Sequence, residues 1–230
     1  MMRIVLLKIV SEKKNKMDEY LRQLRNDHRQ FDQGKLEDHV GHEPMKLFSQ
    51  WLQDAIEKPV SEPNAMSIST LGSDDFPQSR VVYLKELLEE GLVFYTNYNS
   101  DKGKALMAHS KAHALFFWPD LERQISVFGV AEKVPEQMSD DYFDSRPRGS
   151  QLGAWASHQS ERLESRVELE KRVEELTERF PDKVSRPPHW GGFLLRPVKI
   201  EFWQGRPSRL HDRIVFEKTD DSWTLYRKNP

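Results

Sequence analysis

Between Ala65 and Val134 the chain is divided into short stretches that suit strands and little else. Ala65–Leu71, Arg80–Leu87, Leu92–Tyr98, Ala112–Trp118 and Gln124–Val134 are rich in β-branched and aromatic residues. Gly72–Asp75 and Glu89–Gly91 are turn clusters that separate the first three. Links this short join antiparallel neighbours, because a parallel crossover needs a dozen residues or more. Three further strands are expected around Phe193–Trp203, Ile214–Glu217 and Trp223–Arg227. The expected fold is therefore mainly β with helices (α+β), an antiparallel barrel with its helices packed outside.

The helices announce themselves by period. Leu47, Trp51, Leu52 and Ile56 recur at helical spacing after Pro44, which suits a first helical position, and the helix should end near Lys58. Ser100 is placed to cap a short helix with Asp101 in its first turn. A longer helix over Ser160–Phe180 would carry Leu163, Val167, Val173, Leu176 and Phe180 on one stripe, with Pro181 as its stop. Residues 11–43 are highly charged and poor in large apolar groups, which predicts a mobile arm over 1–43 and one folded domain over 44–230. Met1–Val10 is too short an apolar run to span a bilayer and reads as a leader or first strand.

Composition narrows the chemistry. The formal net charge of −2 gives no global basic field for nucleic acid, so anion recognition must come from local clusters. The absence of cysteine excludes disulfides, thiolate catalysis and Cys-based metal sites, and suits a reducing, cytoplasmic setting. No membrane partner is expected. His39 and His42, in a charged arm, read as solvated rather than as metal ligands.

Three local clusters carry the chemistry. In Arg206–Arg213, three arginines and a histidine are offset by one acid; if residues 209–213 are extended, alternation puts Arg209, His211 and Arg213 on one face. Such a face would suit a planar anion, and equally a solvated, salt-bridged surface strand. Arg80–Lys85 has cations on opposite faces of a strand, so that one strand could serve two anions or simply carry charged ends. Tyr142–Ser150 pairs two arginines with hydroxyls around Pro147 and Gly149, as a phosphate cradle or a basic surface loop would. Phe116–Trp118 reads as strand core, and neither a P-loop nor a dinucleotide fingerprint is present.

Taken in order, these segments resemble the pyridoxine 5′-phosphate oxidase family from about Arg25 to the C-terminus. The resemblance rests on Arg80–Lys85, Phe94–Asn97, Gln124, Tyr142–Ser150, Gly153–Ser160, Trp190–Gly192 and Glu201–Arg213. It implies an FMN-binding split barrel working as a homodimer with two sites at the subunit interface. By position, Arg80, Val81, Val82, Tyr83, Leu84, Lys85, Tyr95, Thr96, Lys102, Gln124, Gln159, Ser160, Trp203 and Arg213 resemble the family's FMN-binding residues. Lys85, Tyr142, Arg146 and Ser150 resemble the clamp on the substrate phosphate, while Arg209, Leu210 and His211 resemble the residues over the pyridine ring. Arg209 and His211 are the catalytic candidates. The implied reaction oxidises pyridoxine 5′-phosphate or pyridoxamine 5′-phosphate at C4′ by hydride transfer to flavin. Dioxygen then accepts the electrons and leaves as hydrogen peroxide. The chain departs from the pattern at Asp101, where the family has an arginine, and in the arm, where Arg25 and His28 stand at the closing positions.

Overall fold

The computed structural model describes residues 16–27, 30–58, 60–220 and 222–230. Met1–Val10 and His28 therefore lie outside the described residues.

Nine strands form one antiparallel sheet: β1 (Ala65–Leu71), β2 (Pro77–Tyr83), β3 (Glu86–Leu88), β4 (Gly91–Asn97), β5 (Lys111–Trp118), β6 (Arg123–Lys133), β7 (Trp190–Gln204), β8 (Asp212–Thr219) and β9 (Ser222–Arg227). Their order is β2-β1-β5-β6-β7-β4-β3, with β8 and then β9 branching from β7. Strand β7 is the spine: Trp190–Leu195 pairs with β4, and Lys199–Gln204 pairs with β8. Beyond β2 the chain bends back to β4, where the Lys85 N–H donates to Val93 O at 2.9 Å, so the sheet curls into a half-barrel. The strands coincide closely with the expected ones, except that Arg80–Leu87 is broken at Leu84 into β2 and β3.

The helices are α1 (16–26), α2 (Pro44–Glu57), α3 (Asp101–Ala108), α4 (Glu136–Ser145), α5 (Arg148–Ala156) and α6 (Arg166–Arg179). On α2 the buried stripe is Leu47, Phe48, Trp51 and Ala55, whereas Ile56 is 57% exposed, a correction to the expected face. Phe48 meets Phe116 edge-on at 5.2 Å, and Trp51 meets Phe202 at 5.2 Å, which seats α2 on the sheet. Truncating either fully enclosed ring to alanine should cost about 3–5 kcal/mol. Within the expected Phe116–Trp118 core, alternation turns Phe117 out to 57% exposure.

The helix expected over Ser160–Phe180 begins only at Arg166, because Ser165 accepts from the Glu168 N–H and caps it. Ser160 instead has φ of 73°, and Val167 is 70% exposed rather than part of a buried stripe. No described helix is long and apolar enough to cross a membrane.

Helix α1 is exposed throughout, but residues 30–38 are tied down. Leu36 is buried, its N–H donates to Asp212, and Arg227 donates to its carbonyl. Gln33 N donates to Glu122 and Arg206 to Gly34 O. His39 and His42 are both exposed. One sheet face stays apolar and open: Leu71, Phe128, Val130 and Val198 line a groove of about 450 Å³.

Candidate active site

The curl of the sheet leaves a cavity of about 1000 Å³ between β2, β4 and the helices α3 to α5. Thirteen of the residues singled out in sequence line it: Arg80, Val81, Val82, Tyr83, Lys85, Tyr95, Thr96, Lys102, Tyr142, Arg146, Ser150, Gln159 and Ser160. Arg80 and Lys85 therefore face one cavity, not opposite sides of a strand; the chain leaves β2 at Tyr83, and alternation stops applying. Leu84 is the exception within that run. Its side chain is buried in the core.

One set of cations gathers around the start of α3. The Ser100 hydroxyl donates to Asn97 O at 2.6 Å and accepts from Gly103 N, which fixes the first turn of the helix. Lys102 then reaches Gln159 Oε1 at 2.8 Å and Thr96 Oγ1 at 3.2 Å. Arg80 donates to Thr70 Oγ1 at 2.8 Å and to Gln78 Oε1 at 3.1 Å. Both cations are thus bonded to neutral oxygens. Burial lowers the Lys102 ammonium below its ordinary range and the Arg80 charge lowers it further, while Asp101 pulls it back. Burial likewise lowers Arg80, with Asp101 opposing. An anion placed between them would relieve both effects. Asp101 itself lines the cavity, and its N–H donates to Ser160 Oγ at 3.2 Å.

The second set lies where α4 ends and α5 begins. The stretch read as a loop is mostly helical, broken at Arg146-Pro147 because a proline cannot continue α4 but suits the approach to α5. The break separates the two arginines. Arg148 bonds the carbonyls of Phe180 and Asp182, away from the cavity. Arg146 lies 4.5 Å over the Trp190 ring and 5.7 Å from Phe143. Its Nη1 is buried with no hydrogen-bond partner among the described residues, and burial lowers its pKa.

An aromatic wall lines the same cavity. Tyr95 stacks on Tyr142 at 4.0 Å and lies 5.6 Å from Trp190, with interplanar angles of 17° and 9°. Gly192 makes this approach feasible, because a Cβ there would meet Tyr95 Cε1 at 2.8 Å. Trp190 and Asn97 were not singled out as site residues from sequence, although both stand in segments shared with the family, and Asp101 was singled out only as a departure from its pattern.

Gln124, Trp203, Arg209, Leu210, His211 and Arg213 do not line this cavity. Gln124 pairs across from Trp203, and Trp203 across from Arg213. The expected extended run over 209–213 is absent. Pro207–Arg209 forms a 3-10 turn, Ser208 and Arg209 have φ of 57° and 61°, and β8 starts only at Asp212. Arg213 is engaged by Glu201 at 2.7 Å, while Arg209 and Leu210 are exposed. His211 packs 4.7 Å from Trp203 and 5.4 Å from Phe31. Its Nδ1 lies 3.1 Å from the Arg206 backbone N–H, which can only donate. Nδ1 is therefore the acceptor, and in the neutral ring the proton sits on Nε2. Burial, then the charges of Arg209 and Arg213, hold the imidazole below the ordinary histidine range, which favours that neutral form.

This geometry agrees with what the chain is similar to. Residues 52–180 match the family model described as pyridoxamine 5′-phosphate oxidase, and residues 190–230 match the pyridoxine 5′-phosphate oxidase C-terminal dimerisation region. A pyridoxine/pyridoxamine 5′-phosphate oxidase of Flavobacterium johnsoniae is 50% identical over 195 residues, covering 84% of this chain and 91% of the relative. Its counterpart in Thermosynechococcus vestitus is 47% identical over 207 residues, covering 90% and 97%. Among solved structures, PhzG from Burkholderia lata 383, in complex with tetrahydrophenazine-1-carboxylic acid, superposes with a TM-score of 0.80 at 31% identity, covering 84% of this chain and 95% of that one. Half-barrel, two-ended cationic cavity and matched sequence span together make the chain a member of the pyridoxine/pyridoxamine 5′-phosphate oxidase family of oxidoreductases.

Proposed function

We propose that the protein is an FMN-dependent oxidase that converts pyridoxine 5′-phosphate and pyridoxamine 5′-phosphate to pyridoxal 5′-phosphate in the cytoplasm. The observation that carries the reading is that one cavity is lined by four cations, Arg80 coupled by charge to Lys102, and Lys85 and Arg146 both beside Tyr142. A phosphorylated cofactor and a phosphorylated substrate need two such sets, and a lone phosphate ester needs one.

The residues fit FMN. Burial lowers both Arg80 and Lys102, and the Arg80 charge lowers Lys102 further, while both are bonded to neutral oxygens; Thr96, Gln159 and Ser160 add polar groups around them. Val81, Val82, Tyr83 and the backbone at Leu84 would flank the ring system, with Tyr95 beside it. Bound there, FMN supplies the acceptor for two electrons from C4′, which O2 removes as hydrogen peroxide. The chain's own residues bind and orient. Lys85, Tyr142, Arg146 and Ser150 hold the substrate phosphate. Arg209 and Leu210 cover the pyridine ring, and His211 donates through Nε2 to its substituents.

Gln124, Trp203, Arg209, Leu210, His211 and Arg213 lie outside the chain's own cavity, so the reading assigns them to the cavity of a partner subunit in a homodimer. The open apolar face at Phe128, Val130 and Val198 supports such a contact, as does the match to a dimerisation region. The described stretch at 30–38 then runs beside the site, since Phe31 packs on His211. A substrate of the kind bound to PhzG, a carboxylic acid, brings one carboxylate and no phosphate, fewer acceptor oxygens than the clamp of Lys85, Tyr142, Arg146 and Ser150 can engage.

An aerobic assay with added FMN tests the reading. Pyridoxal 5′-phosphate and peroxide should form together, by a dimer in light scattering, with pyridoxine itself slower by orders of magnitude because several charge-assisted bonds of about 1.5–3 kcal/mol each are lost. Equal rates on pyridoxine, or no flavin uptake, would overturn it.

A further inference from the structure

Glu86 opens β3 directly after Lys85 and is half-buried. Its carboxylate Oε1 accepts from the Tyr95 hydroxyl at 2.8 Å, and Met138 O lies 3.3 Å from the same hydroxyl. The phenol's single proton is thus held by acceptors on two elements, β3 and α4.

The ring so held is one of three near-parallel rings in the cavity wall, and it is stacked on both of the others. Tyr142, a member of the proposed phosphate clamp, lies flat on Tyr95 at 4.0 Å. Trp190 lies nearly parallel to both, at 5.6 Å from Tyr95 and 6.1 Å from Tyr142. Arg146, with its unpartnered buried nitrogen, sits on Trp190 at 4.5 Å. Offset stacks fix separation but leave rings free to slide in plane. A hydrogen bond at the phenol's far end removes that freedom, and one to a carboxylate does so more firmly than one to a neutral group.

We infer that Glu86 is a positioning residue for substrate: by holding Tyr95 it sets the spacing of Tyr142 and of the Trp190–Arg146 pair around the substrate phosphate. The inference rests on the oxidase reading above. Burial and the Glu86 charge raise the Tyr95 pKa well above the ordinary tyrosine value, so the phenol remains a donor throughout the working pH range.

The test uses the FMN-loaded full chain and the variants Glu86→Gln, Glu86→Leu, Tyr95→Phe and Glu86→Leu/Tyr95→Phe. The readouts are KM for pyridoxine 5′-phosphate, kcat and flavin content. Glu86→Leu should raise KM about tenfold (~1.4 kcal/mol) with kcat and flavin content essentially unchanged. Glu86→Gln keeps an acceptor and should restore most of the KM. Tyr95→Phe, which also borders the proposed flavin, is read on KM alone and should raise it as much as Glu86→Leu does, and the double variant should raise KM no further than either single change. An unchanged KM in Glu86→Leu, a Glu86→Gln as poor as Glu86→Leu, or additive effects in the double variant would overturn the inference alone. If Glu86→Leu does not fold, Tyr95→Phe and Glu86→Gln still decide it by the same KM criterion. A parent protein inactive on every phosphorylated substrate would overturn the oxidase reading and this inference with it.

Discussion

Replacing Arg146 with methionine separates what the residue contributes to the fold from what it contributes to a ligand. In the free protein its Nη1 is buried without a partner while the guanidinium rests on Trp190 at 4.5 Å. An unmade buried bond costs about 1–3 kcal/mol. The cation–π contact returns about 0.5–2 kcal/mol, and a thioether on the same ring would return about 0.3–1.5 kcal/mol. At mid-range these terms sum to about 1–2 kcal/mol in favour of the variant, so Arg146→Met should be at least as stable as the parent, with Tm unchanged or raised by a few degrees. Substrate binding has no such offset. Losing a charge-assisted bond to phosphate of about 1.5–3 kcal/mol raises KM by about 10- to 150-fold. Thermal unfolding with and without pyridoxal 5′-phosphate, beside steady-state kinetics, measures both sides. The ligand's stabilising shift should shrink in the variant. A variant destabilised by more than about 3 kcal/mol with an unchanged KM would refute the reasoning, since Arg146 would then be a structural strut.

Asp101→Asn removes the carboxylate beside Arg80 and Lys102 and should tighten FMN binding by less than about tenfold (~1.4 kcal/mol), an effect that shrinks with salt; weaker binding would exclude the proposed proximity to the phosphate. Arg209→Ala should lower kcat/KM strongly at full flavin content, and flavin loss with normal turnover in excess FMN would remove Arg209 from the substrate site. His211 is held below the ordinary histidine value, so its contribution to stability is complete above about pH 6.5 and declines as pH falls below that. NMR of the ring nitrogens at neutral pH should show the proton on Nε2, and a proton on Nδ1 would contradict the bond from Arg206.

Strand positions were legible because alternation is local: on β5, Ala112, Ala114, Phe116 and Trp118 all turn inward as their spacing requires. The cationic sets were legible as residue types, and the family resemblance put most of them at the cavity. What sequence spacing missed is set from far away. The turn at Ser208 has its N–H bonded to Gln30, 178 residues earlier, so nothing within 209–213 announces that Arg209 is held in a turn and that the chain becomes extended only from Asp212. Arg146 and Arg148 look alike in the sequence, yet one faces the cavity and the other bonds the carbonyls of Phe180 and Asp182. Glu86 carries no motif, and its meaning depends on Tyr95 lying across a hairpin.

The tie between residues 30–38 and the C-terminal strands also orders events in time. Gly34, Leu36 and Gln30 meet partners 172, 176 and 178 residues later in the chain. During synthesis, domains fold from the N-terminus as they emerge, and the strands up to β6 can pair while their successors are still being made. The stretch at 30–38, although made early, can bond only Glu122 until Arg206, Ser208 and Asp212 have left the ribosome. The wall that Phe31 forms against Trp203 and His211 is thus closed last. A nascent chain holds its future His211 environment open until β8 emerges, and a chain stalled before β8 would lack the His211 side of the contact that Phe31 makes with Trp203 and His211.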